Sequence, residues 1–185
     1  MAKGFGSDPV TALQGDNDVY LDQLMRFLER INTGDYRAAN GADAAIGTHV
    51  RHVLEHYETL LREADLPINY DRRTRDLAVE QCPQTAIASL QAVRAQLHDL
   101  ADMASEQTLT VACSCATDGS ERPTVVTSTL GRELMFLQSH TVHHLALIAV
   151  LARQRGMSVP TDFGVAPATL QYRASTAPPE GSCAR

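Results

Sequence analysis

The longest stretch without a formal charge runs from Leu134 to Ala152, and it carries His140, His143 and His144. Its length is that of a membrane-spanning helix. Gln138, Ser139, Thr141 and the three histidines make it too polar for lipid. Leu130, Leu134, Phe136, Leu137, Leu145, Ile148 and Leu151 cover most directions around a helix axis. A helix that is apolar nearly all round belongs at the centre of a helical assembly. The chain must therefore supply other helices to surround it, which points to an all-α fold.

Three further segments have the required period. Leu21, Leu24, Leu28 and Ile31 form one apolar stripe from about Asp18 to Asn32, stopped by Thr33-Gly34. A second helix is expected from Asp43, a good N-cap, to Asp65, with Leu66-Pro67 ending it. A third begins near Pro83, a favoured first helical residue, and runs to about Ser105 on Ile87, Leu90, Val93, Leu97 and Leu100. The fourth, central helix starts after Ser128 or Thr129 and stops at Arg153-Gln154-Arg155-Gly156. The expectation is an antiparallel four-helix bundle with one or two long connections.

Between the third and fourth helices, Thr108–Cys115 and Pro123–Ser128 are rich in Thr and Val, with Asp118-Gly119 between them. A short β-hairpin is expected there. The segment from Leu66 to Glu80 reads as a surface crossover. Residues 1–14 read as a flexible N-terminal segment, 15–173 as the bundle domain, and 174–185 as a flexible tail. Phe163–Pro167 is a candidate cover for one end of the bundle.

The 185 residues suffice for one domain with a sizeable core. With 16 basic and 22 acidic residues, the net charge is -6, which argues against a nucleic-acid partner. Lys3 is the one lysine, near the N-terminus. Phosphate-loop, Schiff-base and protein-kinase chemistry all need a lysine inside the fold, so these classes are excluded. Cys82, Cys113, Cys115 and Cys183 form no C-x-x-C pair, and no secretory leader is evident. A cytoplasmic setting with no membrane association is the simplest expectation. Cys113 and Cys115 read as packing residues on a strand.

The histidines carry the functional signal. Six of the seven fall in two helices: His49, His52 and His56 in the second, and His140, His143 and His144 in the fourth. At about 100° per residue, His49, His52 and His56 share one flank beside the stripe of Ile46, Val50, Val53, Tyr57 and Leu60. His140 and His144 lie one turn apart on one face. Imidazoles in so apolar a helix need hydrogen-bond partners or a metal. Two at i, i+4 can share one ion, and a third from a neighbouring helix completes a three-histidine set with a position left open. His98 stands alone on the third helix. No Glu-x-x-His, H-E-x-x-H or G-x-S-x-G is present, which excludes carboxylate-bridged di-iron, common zinc-protease and nucleophile-elbow sites.

The segments IGTHVRHVLEHYETLL and SHTVHHLALIAVLARQRG resemble the DinB-like family, also called the DinB/YfiT-like metalloenzymes. The family pattern has an apolar-Gly helix start with a histidine six residues after the apolar residue, as Ile46 to His52, and H-x-x-x-H in the last helix, as His140 to His144. The order of elements fits over roughly residues 15–155. The resemblance implies a four-helix bundle holding one divalent metal, zinc or nickel first and iron or manganese next, through His52, His140 and His144. It further implies a small-molecule substrate, with low-molecular-weight thiols as co-substrates of known members, and a homodimer as one allowed state. The extra histidines leave His49 or His56 open as replacements for His52, and His143 open as a supporting residue. Tyr57, Asp71 and Glu133 are candidates to assist. The leading expectation is a metal-dependent transferase, isomerase or hydrolase. The alternative is a non-catalytic metal- or ligand-binding bundle.

Overall fold

The computed structural model describes residues 9–38, 44–62, 67–120 and 122–176. Helix α1 (Pro9–Leu28) is followed by the short α2 (Thr33–Arg37), then α3 (Ile46–Arg62) and the short α4 (Leu77–Gln81). Helix α5 (Pro83–His98) ends in a 3-10 turn (Asp99–Asp102). Strands β1 (Thr108–Ser114) and β2 (Pro123–Thr129) lead into α6 (Leu130–Gln154), and α7 (Pro167–Thr176) closes the described chain. Helices α1 and α3 each pack on both α5 and α6. Leu21, Leu24, Val50, Leu90, Leu134 and Leu137 meet in the core between them.

Two of these four contacts are antiparallel and two are parallel. Gln14 Nε2 donates to Leu97 O at 2.7 Å, and one turn later Asp18 meets Arg94, so α1 and α5 run in opposite directions. Helices α3 and α6 do the same, since His49 meets His144 and His56 meets His140. In contrast, α1 and α6 run the same way. Leu13 lies against Gly131, and Asn17 Nδ2 donates to Leu134 O at 3.1 Å. Helices α3 and α5 are also parallel: Gly47, at the start of α3, abuts the Glu80 carbonyl just before α5 begins. The expected antiparallel arrangement applies to α1–α5 and α3–α6, and not to the other two contacts. The long connection between Arg62 and Pro83 lets the chain return to the end where α3 began.

Local chemistry explains most boundaries. Thr129 caps α6, accepting from Arg132 N, and Gly156 follows its end at φ +74°. Pro83 opens α5, but regular helix stops at His98 rather than Ser105. Helix α1 begins at Pro9, well before the expected Asp18, and buries Val10 and Gln14. Residues 9–14 are thus helical rather than loosely held, and 1–8 lie outside the described residues. The early turns were hidden because Gln14 and Asn17 are polar, yet both are buried on backbone carbonyls. The expected cap at Asp43 and stop at Asp65-Leu66 also lie outside the described residues. Of the expected tail, residues 174–176 finish α7 and 177–185 are not described.

The hairpin pairs Thr108 with Thr129, Val111 with Val126 and Ser114 with Pro123. The 67–80 segment is more than a surface crossover. Ile68 is fully buried and bridges β1 in parallel: its N–H donates to Thr110 O, and Ala112 N donates to its carbonyl, both at 2.8 Å. That bridge fixes Tyr70 and Arg73 beside the hairpin. The 163–167 segment covers the α1–α6 groove rather than a bundle end. Phe163 packs on Phe27, Gly164 N donates to Gln23 Oε1, and Tyr20 donates to Val165 O. Gly164 sits at φ +65°, and an added Cβ would come within 2.7 Å of Leu145 Cβ, so only glycine fits.

By length and composition alone α6 could cross a membrane. Here it packs against both α1 and α3.

Candidate metal centre

The antiparallel contact of α3 with α6 makes the centre. The flank of α3 that carries His49, His52 and His56 faces the side of α6 that carries His140 and His144. One potential ligand atom from each of His52, His140 and His144 lies within 4.8 Å of the other two. Ring centroids are 5.0 Å apart for His52–His140, 4.6 Å for His52–His144 and 4.5 Å for His140–His144.

His140 Nε2 is buried and has no hydrogen-bond partner. An imidazole nitrogen left so in a protein interior loses its hydration without compensation, unless an ion or ligand takes it. His144 Nδ1 lies 3.0 Å from His49 Nδ1. His56 Nδ1 donates to His52 O at 2.6 Å, which fixes its tautomer. Of the other two, His143 is exposed and edge-on to His144, whereas His98 is exposed 3.9 Å from Asp18.

Burial holds these rings neutral. Desolvation first, then the neighbouring His56 and Arg73, takes His52 down to about 2. Desolvation and His140 take His144 to about 3. His140 falls to about 4 by desolvation and His56, and His56 to about 4 by desolvation opposed by its bond to the His52 carbonyl. His49 is lowered by burial and His143. A neutral imidazole is the form that binds a metal. Clustered, neutral and partly unpartnered, the three nitrogens fit a divalent ion.

A cavity of about 700 Å³ opens beside the histidines, between the hairpin, the first turns of α6 and the Tyr70–Arg73 segment. His56 lines it together with Tyr70, Arg73, Cys113, Glu133 and Phe136. Tyr70 stacks on His56 at 5.4 Å, and Phe136 stacks on His140 at 5.7 Å, so the aromatic wall is continuous with the histidines. Glu133 is buried; its Oε2 accepts from Tyr70 OH at 2.9 Å and its Oε1 from Ser128 Oγ at 2.5 Å. Burial and that carboxylate push the Tyr70 hydroxyl well above its ordinary range.

Of the residues expected to assist, Glu133 and Asp71 line this cavity. Tyr57 does not. Its hydroxyl points into the core, donating to Asn17 Oδ1 at 2.6 Å and lying 3.1 Å from Thr141 Oγ1. Cys113 and Cys115 are not core packing residues: Cys113 is half-buried, Cys115 is exposed, and their sulfurs are 3.7 Å apart. Sequence reasoning missed Tyr70, Arg73 and Phe136. Phe136 read as one more apolar residue of a central helix. The other two lie in a segment without periodicity, and only the Ile68 bridge places them.

A protein named FK506-binding protein 5, from Rhizopus delemar, is 29% identical to this chain over 105 residues, which is 57% of this chain and 27% of that protein. The chain thus spans about a quarter of that relative's length. Residues 20–148, with both histidine helices among them, match the model of a helical family whose description agrees with the resemblance in the two histidine segments: the chain belongs to the DinB superfamily.

Proposed function

We propose that this chain is a metal-dependent enzyme, built on the four-helix bundle of the DinB type, with one divalent ion held by His52, His140 and His144. The observation that carries this reading is His140 Nε2, buried without a partner among neutral imidazoles, on a ring that packs against the cavity residues His56 and Phe136. Zinc or nickel suits three imidazoles best, and iron or manganese follows. When bound, the ion supplies Lewis acidity, polarising a carbonyl or lowering the pKa of a coordinated thiol or water.

The chain's own residues do the rest. His49 orients His144 through their shared Nδ1 contact. Glu133 accepts hydrogen bonds from the Tyr70 and Ser128 hydroxyls and so fixes the Tyr70 ring against His56. The aromatic wall of Tyr70 and Phe136 excludes water from one side of the cavity. A small molecule entering there lies beside the histidines. Thiol transfer, isomerisation and hydrolysis all use such a site.

The test has two stages. Protein purified without a histidine tag is analysed for bound metal, then titrated with zinc and nickel after chelation. About one equivalent is expected, and none in a His140→Ala/His144→Ala double variant. Retained stoichiometric metal in that variant refutes the centre. Thiol transfer to electrophiles and ester or amide hydrolysis are then screened with each metal. Binding without any turnover makes the chain a non-catalytic metal-binding bundle.

A further inference from the structure

We propose that the cavity beside the histidines receives an amphipathic organic anion, with its carboxylate- or phosphate-type head on Arg73 and its apolar body against Tyr70, Val111, Val126 and Phe136. The proposal rests on reading this cavity as the substrate space of the centre above.

Arg73 is the deep cation of the cavity, with its side chain 14% exposed. A guanidinium carries five N–H donors. The one hydrogen bond it donates within the described residues runs from Nη1 to Tyr70 O. Its Nε is buried with no hydrogen bond, 3.6 Å from Glu55 Oε2. That separation is too long for a hydrogen bond. Nor is Glu55 free to approach. It already takes Arg51 Nη1 at 3.2 Å and Asp76 N at 2.8 Å. Most of the Arg73 fork is therefore unspent in a half-desolvated place, where an unpaired donor is costly.

The acids that line the cavity have hydrogen-bond partners of their own, and Arg73 keeps Glu55 as its ion-pair partner at 3.6 Å. Glu133 is spent on Tyr70 and Ser128, and Asp71 Oδ2 on Ser114 N. A second cation, Arg132, stands 5.5 Å above the Phe136 ring with its side chain 61% exposed. It marks the mouth, where a ligand passes from water to the apolar wall. That wall includes Val126, an apolar residue left 48% exposed. A planar guanidinium grips carboxylate and phosphate oxygens in pairs, which selects anions over neutral molecules of the same shape. The volume lies inside the usual range for small-molecule sites, roughly 300–1,000 Å³.

Fluorescence titration of the full chain, stripped of metal, decides this with two probes of similar shape. One is 8-anilinonaphthalene-1-sulfonate, which is anionic; the other is N-phenyl-1-naphthylamine, which is neutral. The anion is expected to bind about ten-fold tighter, the equivalent of one charge-assisted hydrogen bond. Arg73→Met should remove that advantage and leave the neutral probe within about two-fold. Arg73→Lys, which keeps the charge and loses the fork, should fall between them. Equal binding of the two probes by the unmodified chain overturns the proposal, and so does a parallel loss of both in Arg73→Met. Thermal melts report whether each variant is folded. If Arg73→Met is not, Arg73→Met/Glu55→Gln removes the stranded acid and carries the same expectation. Zinc titration of the same samples keeps the two readings apart. Anion selectivity without zinc binding sinks only the metal centre, and zinc binding without anion selectivity sinks only this proposal.

Discussion

His49 and His144 approach through like atoms: their Nδ1 nitrogens are 3.0 Å apart. Two such nitrogens bond only if one carries the proton and the other is bare. With Nδ1 engaged, His144 has Nε2 left for an ion, and a ligand imidazole using Nε2 keeps its proton on Nδ1. His49 is then the acceptor and sets the ring angle of His144 from the neighbouring helix. Truncation of such an orienting partner typically costs roughly 10–100-fold in metal affinity. His49→Ala should show a loss of that size by calorimetric zinc titration, with one equivalent still bound. His49→Asn offers an acceptor at similar reach and should recover part of the loss. If His49→Ala abolishes stoichiometric binding, His49 is itself a ligand.

Removal of a ligand should cost far more than removal of an orienting residue. His52→Ala, His140→Ala and His144→Ala are each expected to weaken zinc binding by more than about 100-fold, judged against the outer-residue figure. His98→Ala should have no effect, because that ring is exposed beside Asp18 and far from the cluster in sequence and fold. His143→Ala should have a small effect through its edge contact with His144. Equal losses from His98→Ala and His140→Ala would mean that the titration reads general unfolding.

The part of this centre legible in the sequence is the part that sits on regular helices. Spacing alone placed His140 over His144, and set His49, His52 and His56 on one flank of α3. It left open which of those three meets the pair, because that depends on how far α3 slides along α6. The slide is set by how the whole of α3 packs against its neighbours, which the spacing of its histidines does not report. Helix direction was equally hidden. Apolar stripes say which face is buried and nothing about which end is up, so the parallel run of α1 beside α6 was not foreseen. The cavity was hidden for a further reason. Tyr70 and Arg73 reach it because Ile68 pairs with β1, and a single bridge leaves no periodic trace.

Burial changes how the centre should answer to acid. Three ordinary imidazoles, titrating near 6.5, would lose about five-fold each between pH 6.5 and 5.5, or roughly 170-fold together. Here His52, His144 and His140 are depressed to about 2, 3 and 4. Zinc affinity should therefore change by less than about ten-fold over that interval. The same depression works against the metal-free fold. Below about 6.5 the unfolded chain binds protons that the folded chain excludes, so this contribution to stability is complete above that pH and declines as pH falls toward the folded values. Melting temperatures of the metal-free protein should drop steadily from pH 6.5 to 4.5. A zinc affinity that collapses near pH 6.5 would place the ligands in solvent.

Tyr57 gives a control that separates the core from the centre. It lies on the same helix as His56, one residue on, yet its hydroxyl turns inward to Asn17 and Thr141. Asn17 in turn donates to the carbonyls of Leu13 and Leu134, at 2.8 and 3.1 Å, so one buried network ties α1, α3 and α6 together. Tyr57→Phe keeps the ring and leaves Asn17 Oδ1 without its donor. A buried acceptor left in that way costs about 1–3 kcal/mol. Urea unfolding of Tyr57→Phe should show a loss of that size with an unchanged dependence on denaturant. Zinc stoichiometry should stay at one, because no ligand moves. A variant that kept full stability but lost its metal would mean that Tyr57 belongs to the centre and that its inward hydroxyl is not what holds the three helices in register.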